Sequence, residues 1–393
     1  MSDRRTFLQS LGAATVIAPQ LVRGSAANSA VRVGLLGCGN RGMTHANNIT
    51  KFTDARMVAF GDLYQDKLDR ARQRFPDAAL AFVGAKAYQQ MAESKDIDAI
   101  VIATPAYKHP EHLAAVVAAG KHVYCEKPVA VDVAGAKRVL EIGRKAEGRL
   151  SLDVGFQIRS APPFIELVRR LHEGALGEIV CGAAYYYCPL PEYAPYPNAS
   201  PEELRIRHWL RDRAYSGDII VEQNIHAIDI CNWVLGAHPV KASATGSRAG
   251  RTAEGEDIYS HFDVIFYYPN GVHVSFSSAQ FGKGKFDVNE RFFGTKGQSQ
   301  SPYSGELGIV GDTPWTWTGS ESGQGAAFSA SGTFSDNLAQ ADSEKQKGFI
   351  ASITNGKFHN QAAAGVETAL TAMLGREAAY RGRELTWDEL LRL

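Results

Sequence analysis

A short apolar run, Val31-Arg32-Val33-Gly34-Leu35-Leu36, passes directly into Gly37-Cys38-Gly39-Asn40-Arg41-Gly42, and the segment from Met43 to Phe52 reads as a helix. This strand, glycine-rich turn and helix constrain the fold more than any other feature of the chain. Glycines also punctuate ordinary turns. With a strand before and a helix after, their spacing predicts a dinucleotide site, because a pyrophosphate must approach the backbone and rest on the unpaired N–H groups of a helix N-terminus. Gly37, Gly39, Asn40, Arg41 and Gly42 are the expected cofactor contacts. A second strand, Arg56 to Gly61, ends in Asp62, 20 positions beyond Gly42. A carboxylate there accepts from ribose hydroxyls and repels a 2′-phosphate, which favours NAD over NADP.

Further strands follow in alternation with helices. Asp98–Ala103 is nearly all apolar and runs into Thr104-Pro105; a helix is expected from about Pro110 to Ala119, a strand at His122–Cys125, a helix from Val133 to Glu147 and a strand at Leu150–Val154. Such alternation, with strands apolar on both faces, predicts a doubly wound parallel sheet. Ligands bind beyond the carboxyl ends of its strands, where the turn, Asp62, Thr104, Pro105 and the Glu126-Lys127-Pro128 tripeptide all fall.

Bulk properties limit the partners. The chain has 393 residues, too many for one ordinary core. Lys plus Arg and Asp plus Glu both number 42, so there is no basic footprint for nucleic acid, and a neutral small molecule is the expected ligand. No C-x-x-C or comparable spacing suggests a metal. Five cysteines cannot all pair within one chain, and few or no disulfides are expected.

The first thirty residues have the order of an export signal. Asp3-Arg4-Arg5-Thr6-Phe7-Leu8 precedes an apolar stretch from Leu11 to Ala18 and small residues around Gly24 to Ala27. The paired arginines resemble a twin-arginine signal, a receptor-read address and not a membrane anchor. We therefore expect residues 1–30 to be a signal, 31–154 a dinucleotide-binding domain and 155–393 a substrate-binding and oligomerisation domain, in a periplasmic or otherwise exported protein.

The turn, the strand-end acid, Ala103-Thr104-Pro105 with His109 and His112, and Glu126-Lys127-Pro128 at this spacing resemble the glucose–fructose oxidoreductase / inositol dehydrogenase (Gfo/Idh/MocA) family. The likeness continues through Gly155-Phe156-Gln157-Ile158-Arg159, Gly177-Glu178-Ile179, Gly294-Thr295-Lys296-Gly297 and Leu385-Thr386-Trp387-Asp388-Glu389. It implies an N-terminal NAD(P)-binding Rossmann fold, then an α/β domain whose open, mostly antiparallel sheet mediates homodimers or homotetramers. It also places His109, Glu126 and Lys127 at the cofactor.

Members of that family carry an Asp and a His four residues apart on a helix facing the nicotinamide. Here the stretch Ser216 to His226 offers His226, with Glu222 in place of the Asp and Asp218 in place of a glycine. Spacing i, i+4 would put Glu222 and His226 on one helix face. The resemblance implies that His226 takes the hydroxyl proton of a sugar or polyol while hydride leaves for the nicotinamide, its ordinary pKa near 6.5 suiting a base. Lys127 would share a polarising or relay role. Gln157 and Arg159, beyond the last Rossmann strand, and the aromatic Tyr185 and Trp209 are the expected substrate contacts. Residues from about Ser299 to Gln340 lack periodicity and are expected to run over the surface.

Export leaves no obvious soluble NAD pool, so a cofactor inserted before translocation would have to be recycled in place. Three readings stay open: a sugar or polyol oxidoreductase with bound cofactor, an NAD-dependent glycosidase or epimerase using transient oxidation, and a sugar- or dinucleotide-binding protein without turnover.

Overall fold

The computed structural model describes residues 30–251, 255–280, 282, 284–318 and 335–393. The arginine pair and the rest of the expected export signal lie outside them. Six parallel strands form the first sheet: β1 Arg32–Leu36, β2 Arg56–Asp62, β3 Leu80–Val83, β4 Ala99–Ile102, β5 His122–Cys125 and β6 Leu152–Val154, in the order β3-β2-β1-β4-β5-β6. Helices Asn40–Phe52, Gln65–Arg74, Ala87–Glu93, His109–Ala118 and Val133–Ala146 connect them. All four residues of β4 are buried because helices cover both sheet faces, which is why its sequence is apolar without alternation. β3 is the edge strand; it alternates between half-buried and exposed residues and is too short to announce itself. Strand order reverses between β1 and β4, and the crevice opens there, past their carboxyl ends.

The second sheet has nine strands: β7 Ile179–Cys188, β8 Lys241–Ser247, β9 His261–Tyr267, β10 His273–Gln280, β11 Asp287–Gly294, β12 Gly297–Gln300, β13 Gly308–Gly311, β14 Trp315–Thr316 and β15 Leu385–Thr386. Their order is β14-β13-β12-β11-β7-β10-β9-β8-β15, and every pair is antiparallel except β7 with β10. The expected surface excursion after Ser299 is thus corrected in part. Residues 308–311 and 315–316 extend the sheet edge in strands of four and two residues, too short to leave a periodic signal, while residues 319–334 lie outside the described residues. Along β7 the pleat sends Gly182, Ala184, Tyr186 and Cys188 to the buried face and Tyr185 and Tyr187 to the open one. Helices Ile225–Leu235 and Ala362–Arg381 cover the buried face.

The chain then returns to the first domain. Helix Ala341–Thr354 packs on helix Asn40–Phe52, and helix Ala362–Arg381 on helix Val133–Ala146. Lys345 donates to Asp153 Oδ2 at the end of the first sheet, 3.1 Å, in a buried ion pair. No helix among the described residues is long and apolar enough to cross a membrane.

One buried carboxylate lies behind the second sheet's helix layer. Glu290 of β11 is 0% exposed and accepts only from Ser301 Oγ, 2.7 Å, with Oε1 unpartnered among the described residues. Burial pushes its pKa up to about 8. An unfolded Glu releases its proton near 4.3, so this group's contribution to stability is complete below that value and lost as pH rises through about 8. Across that window the wild type should lose about 1.4 kcal/mol per pH unit relative to Glu290→Gln, read from urea unfolding. Parallel profiles for the two proteins would refute the assignment.

Candidate active site

The glycine turn is shaped by what a side chain would strike. Gly37 has φ 96°, and a Cβ on it would lie 2.5 Å from the carbonyl oxygen of Ala103; on Gly42 a Cβ would lie 2.0 Å from the Gly37 carbonyl oxygen. Strand, turn and helix can pack this closely only without those carbons. Gly39 faces open space and caps the Asn40–Phe52 helix, whose first turn holds no acid and receives no side-chain cap. Its N–H groups are left to an anion. At the end of β2, Asp62 Oδ2 accepts from Cys38 N (2.7 Å) and Oδ1 from Tyr64 N (2.9 Å). Burial raises its pKa while those two donors pull it back. A turn with no room for a side chain at Gly37 or Gly42 and open space at Gly39, an uncapped helix start and a strand-end carboxylate fit the diphosphate and ribose of a dinucleotide.

Three residues expected at the cofactor build its walls. His109 is buried between two loops, with Nδ1 2.7 Å from the Pro128 carbonyl and Nε2 2.8 Å from that of Thr104. Burial lowers its pKa, and a neutral ring donates to one of the two at a time. Thr104 Oγ1 meets His112 Nδ1 at 3.0 Å. Glu126 is 4% exposed and takes Arg41 Nε (2.9 Å) and His45 Nε2 (2.6 Å) on Oε1, with Lys127 N 3.2 Å from Oε2. Burial favours the neutral acid, but Arg41 and His45 outweigh it and hold Glu126 well below the usual carboxylate range. Arg41 also grips Asp342 through both terminal nitrogens, 2.8 and 2.7 Å. Gln346 Nε2 donates to His45 Nδ1 (2.7 Å), which leaves the proton on Nε2 for Glu126. Arg41 and His45, both held on Glu126, therefore join the glycine-turn helix to helix Ala341–Thr354. Sequence reasoning missed His45, Asp342 and Gln346. Their signal was i, i+4 spacing (Arg41 with His45, Asp342 with Gln346), but nothing linked positions 301 residues apart.

Lys127 follows Glu126 and reaches into the crevice. Its Nζ donates to the Glu222 carbonyl (2.5 Å) and to Glu222 Oε1 (3.1 Å). Glu222 and His226 were expected on one continuous helix; the structure corrects this. Helix Ile219–Glu222 stops, Gln223 and Asn224 intervene, and a second helix runs Ile225–Leu235. Asn224 N bonds back to the Ile219 carbonyl (3.0 Å), a five-residue closure in place of the helical four. Asp218 starts this segment at φ 76°, a value that favours glycine. Its carboxylate repays the strain by accepting from Ile219 N (2.6 Å), Tyr259 N (3.0 Å) and Tyr380 Oη (2.6 Å).

His226 is 8% exposed, with Nδ1 buried and unpartnered among the described residues. Burial, and then the charge of Lys127, hold its pKa well below 6.5, so the ring is neutral. Gln157 Oε1 and both amide atoms of Asn224 are likewise buried without partners. Arg159 is committed elsewhere: Nε and Nη2 bind Asp229 at 2.7 and 2.8 Å. Trp209 sits half-buried in the turn Trp209–Arg211, on the segment that leaves β7. Tyr185 does not join the site. Its register puts it on the open sheet face, stacked on Tyr187 at 5.0 Å, because neighbours along a strand alternate faces.

Residues 31–154 match the family model described as the oxidoreductase family with NAD-binding Rossmann fold, GFO_IDH_MocA, and residues 164–300 match the GFO/IDH/MocA C-terminal domain. An inositol 2-dehydrogenase of Rhizobium meliloti (strain 1021) is 28% identical over 287 residues, 70% of this chain and 78% of that protein. The crystal structure of myo-inositol 2-dehydrogenase from Lactobacillus plantarum superimposes with a TM-score of 0.71 at 20% identity, covering 91% of this chain and 99% of that one. Scyllo-inositol dehydrogenase from Lactobacillus casei, solved with NAD(H) and scyllo-inositol, gives 0.69 at 19%, covering 91% and 99%. At such identity the two structures speak for the fold.

Removing the cation between Glu126 and Asp342 leaves two carboxylates in a mostly dry site. Arg41→Met should cost about 3–5 kcal/mol in urea unfolding, the range for breaking a buried pair from one side. A loss under about 1 kcal/mol, typical of a solvated pair, would contradict this account.

Proposed function

This chain belongs to the GFO/IDH/MocA oxidoreductase family, and on that premise we propose that it oxidises a secondary hydroxyl of a cyclic polyol or sugar. NAD, once bound along the glycine turn, supplies the acceptor for the hydride leaving the substrate carbon. The observation that carries the reading is a buried His226, its Nδ1 unpartnered among the described residues, together with a Lys127 held in place by Glu222. A neutral imidazole can take the hydroxyl proton as the carbon is oxidised. Lys127 lies within the electrostatic range of His226 and offers N–H donors to the same hydroxyl oxygen, which stabilises charge developing there. Glu222 fixes the ammonium position, and Gln157 and Asn224 carry buried atoms, unpartnered among the described residues, that a ring of hydroxyls would satisfy. The named relatives act on inositols, which makes cyclic polyols the first substrates to test.

Asp62 in the ribose position supports NAD over NADP. The basic pair and apolar stretch of residues 1–30 support export by the twin-arginine route, and with it a cofactor retained through the cycle. The open face of the second sheet, with Tyr185, Tyr187 and Ile265, is where we place self-association into a homodimer or homotetramer. A redox-assisted glycosidase or epimerase would need a second base for a carbon-bound proton. Glu222, the carboxylate on the Lys127 ammonium, is already engaged by it, which favours the oxidoreductase.

Protein purified after native export should release NAD or NADH on denaturation, and the native protein in its NAD form should convert bound NAD to NADH when given inositol stereoisomers. His226→Ala and Lys127→Met should each lower kcat at least about 100-fold while NADH still binds. The acid limb of kcat/KM should fall below pH 6.5, because burial and Lys127 depress the base. Full turnover by His226→Ala would remove it from the chemistry.

A further inference from the structure

Between β7 and the helix Arg213–Ser216, the chain leaves the second sheet and crosses onto the first domain. Tyr64 lies two residues past Asp62, and Tyr107 lies in the turn after β4 (Ala106–Lys108). Tyr64 stands beyond β2, whose terminal acid is placed for the ribose of the adenosine half, and Tyr107 stands beyond β4 across the crevice. Each is covered by a residue of the crossing segment. The Arg207 guanidinium lies 3.7 Å from the Tyr64 ring centre and 4.3 Å from that of Tyr196. The same guanidinium binds both carboxylate oxygens of Asp66, at 2.9 and 3.2 Å, and its Nε binds Glu203 at 2.7 Å. Lys67 Nζ reaches Tyr196 Oη, 3.2 Å. Tyr215 stacks on Tyr107, with ring centres 4.1 Å apart and planes 11° apart.

We propose that residues 189–216 form a latch over the adenosine half of the cofactor site, pinned by Arg207 on Tyr64 and by Tyr215 on Tyr107. These contacts join the two sides of the crevice mouth outside the reacting centre, so adenosine cannot leave until both stacks open. Arg207 suits the pin because its planar cation stacks on rings while its fork holds a carboxylate, a combination Lys cannot reproduce. Its side chain is only 9% exposed although its partner Asp66 is 51% exposed, so the guanidinium is enclosed by the two tyrosines rather than held at a solvated pair. The latch rests on the reading that the cofactor is retained, and it assigns that retention to named residues of the second domain.

The test measures release without turnover. Full-length mature protein is loaded with NADH and chased with excess NAD, and the loss of NADH fluorescence is followed for wild type, Arg207→Ala, Arg207→Lys and Tyr215→Ala. Calorimetry with ADP-ribose, which keeps the adenosine and lacks the nicotinamide, reads the same end at equilibrium. The latch predicts slow release from wild type, release at least about ten-fold faster from Arg207→Ala and Tyr215→Ala, and little recovery in Arg207→Lys, the loss of one strong stack being worth about that factor. ADP-ribose should weaken in parallel. Slow release from wild type with unchanged rates in all variants would overturn the latch and leave retention standing. Release from wild type within the mixing time would overturn both.

Discussion

Glu126 is a carboxylate almost out of reach of water, and its ionisation is affordable only because Arg41 and His45 both converge on it. Much of the cleft follows from that one requirement. Arg41 and His45 stand on the helix that opens with the glycine turn, so satisfying Glu126 sets where that helix starts relative to β5. Arg41 extends to Asp342 and His45 to Gln346, which draws helix Ala341–Thr354 from the far end of the chain onto the same patch. Lys127, the next residue after Glu126, is thereby aimed at Glu222 of the second domain. A structural ion cluster and a chemical group sit side by side on one turn, and the first orients the second.

The electrostatics of the crevice divide the work between His226 and Lys127. Burial alone disfavours a charged imidazole, and the nearby ammonium adds to the cost, so the ring stays neutral while Lys127 is held by Glu222. The broken helix between Glu222 and His226 matters for the same reason. Asp218 accepts a positive-φ backbone and anchors the start of the segment with three hydrogen bonds, Asn224 N closes the break on the Ile219 carbonyl, and Gln223 takes Gln280 Nε2 at 2.5 Å. Where the related family pattern has glycine, a carboxylate here replaces conformational freedom with a set of specific bonds. Burial pushes that carboxylate up to about 6.

Elements whose physics is local were legible in the residues. The strand at 32–36, the turn at 37–42 and Asp62 follow from sterics and spacing within some thirty positions. The buried strand β4 announced itself by a nearly unbroken apolar run. Edge elements did not. β3, β13 and β14 have two to four residues each, below the length at which a period can be counted, and half of their surface faces solvent. At the site Lys127 pairs with Glu222 across the crevice, whereas Tyr185 went to the open sheet face and Arg159 to Asp229. An aromatic or a cation in a sequence states what it can bind, not which of several partners will be nearest.

By itself the sequence determined a parallel sheet with a dinucleotide turn, which follows from backbone geometry and side-chain chemistry over short distances. The mostly antiparallel second sheet and the groups suited to proton and hydride chemistry came only as implications of the family resemblance. Tertiary structure alone decided that Arg41 and Glu126 hold the cleft together, that a helix expected to be continuous breaks before His226, and that residues 189–216 lie over the cofactor mouth. Each depends on contacts between segments far apart in the chain, where burial and charge pairing choose among partners that the sequence leaves equally available.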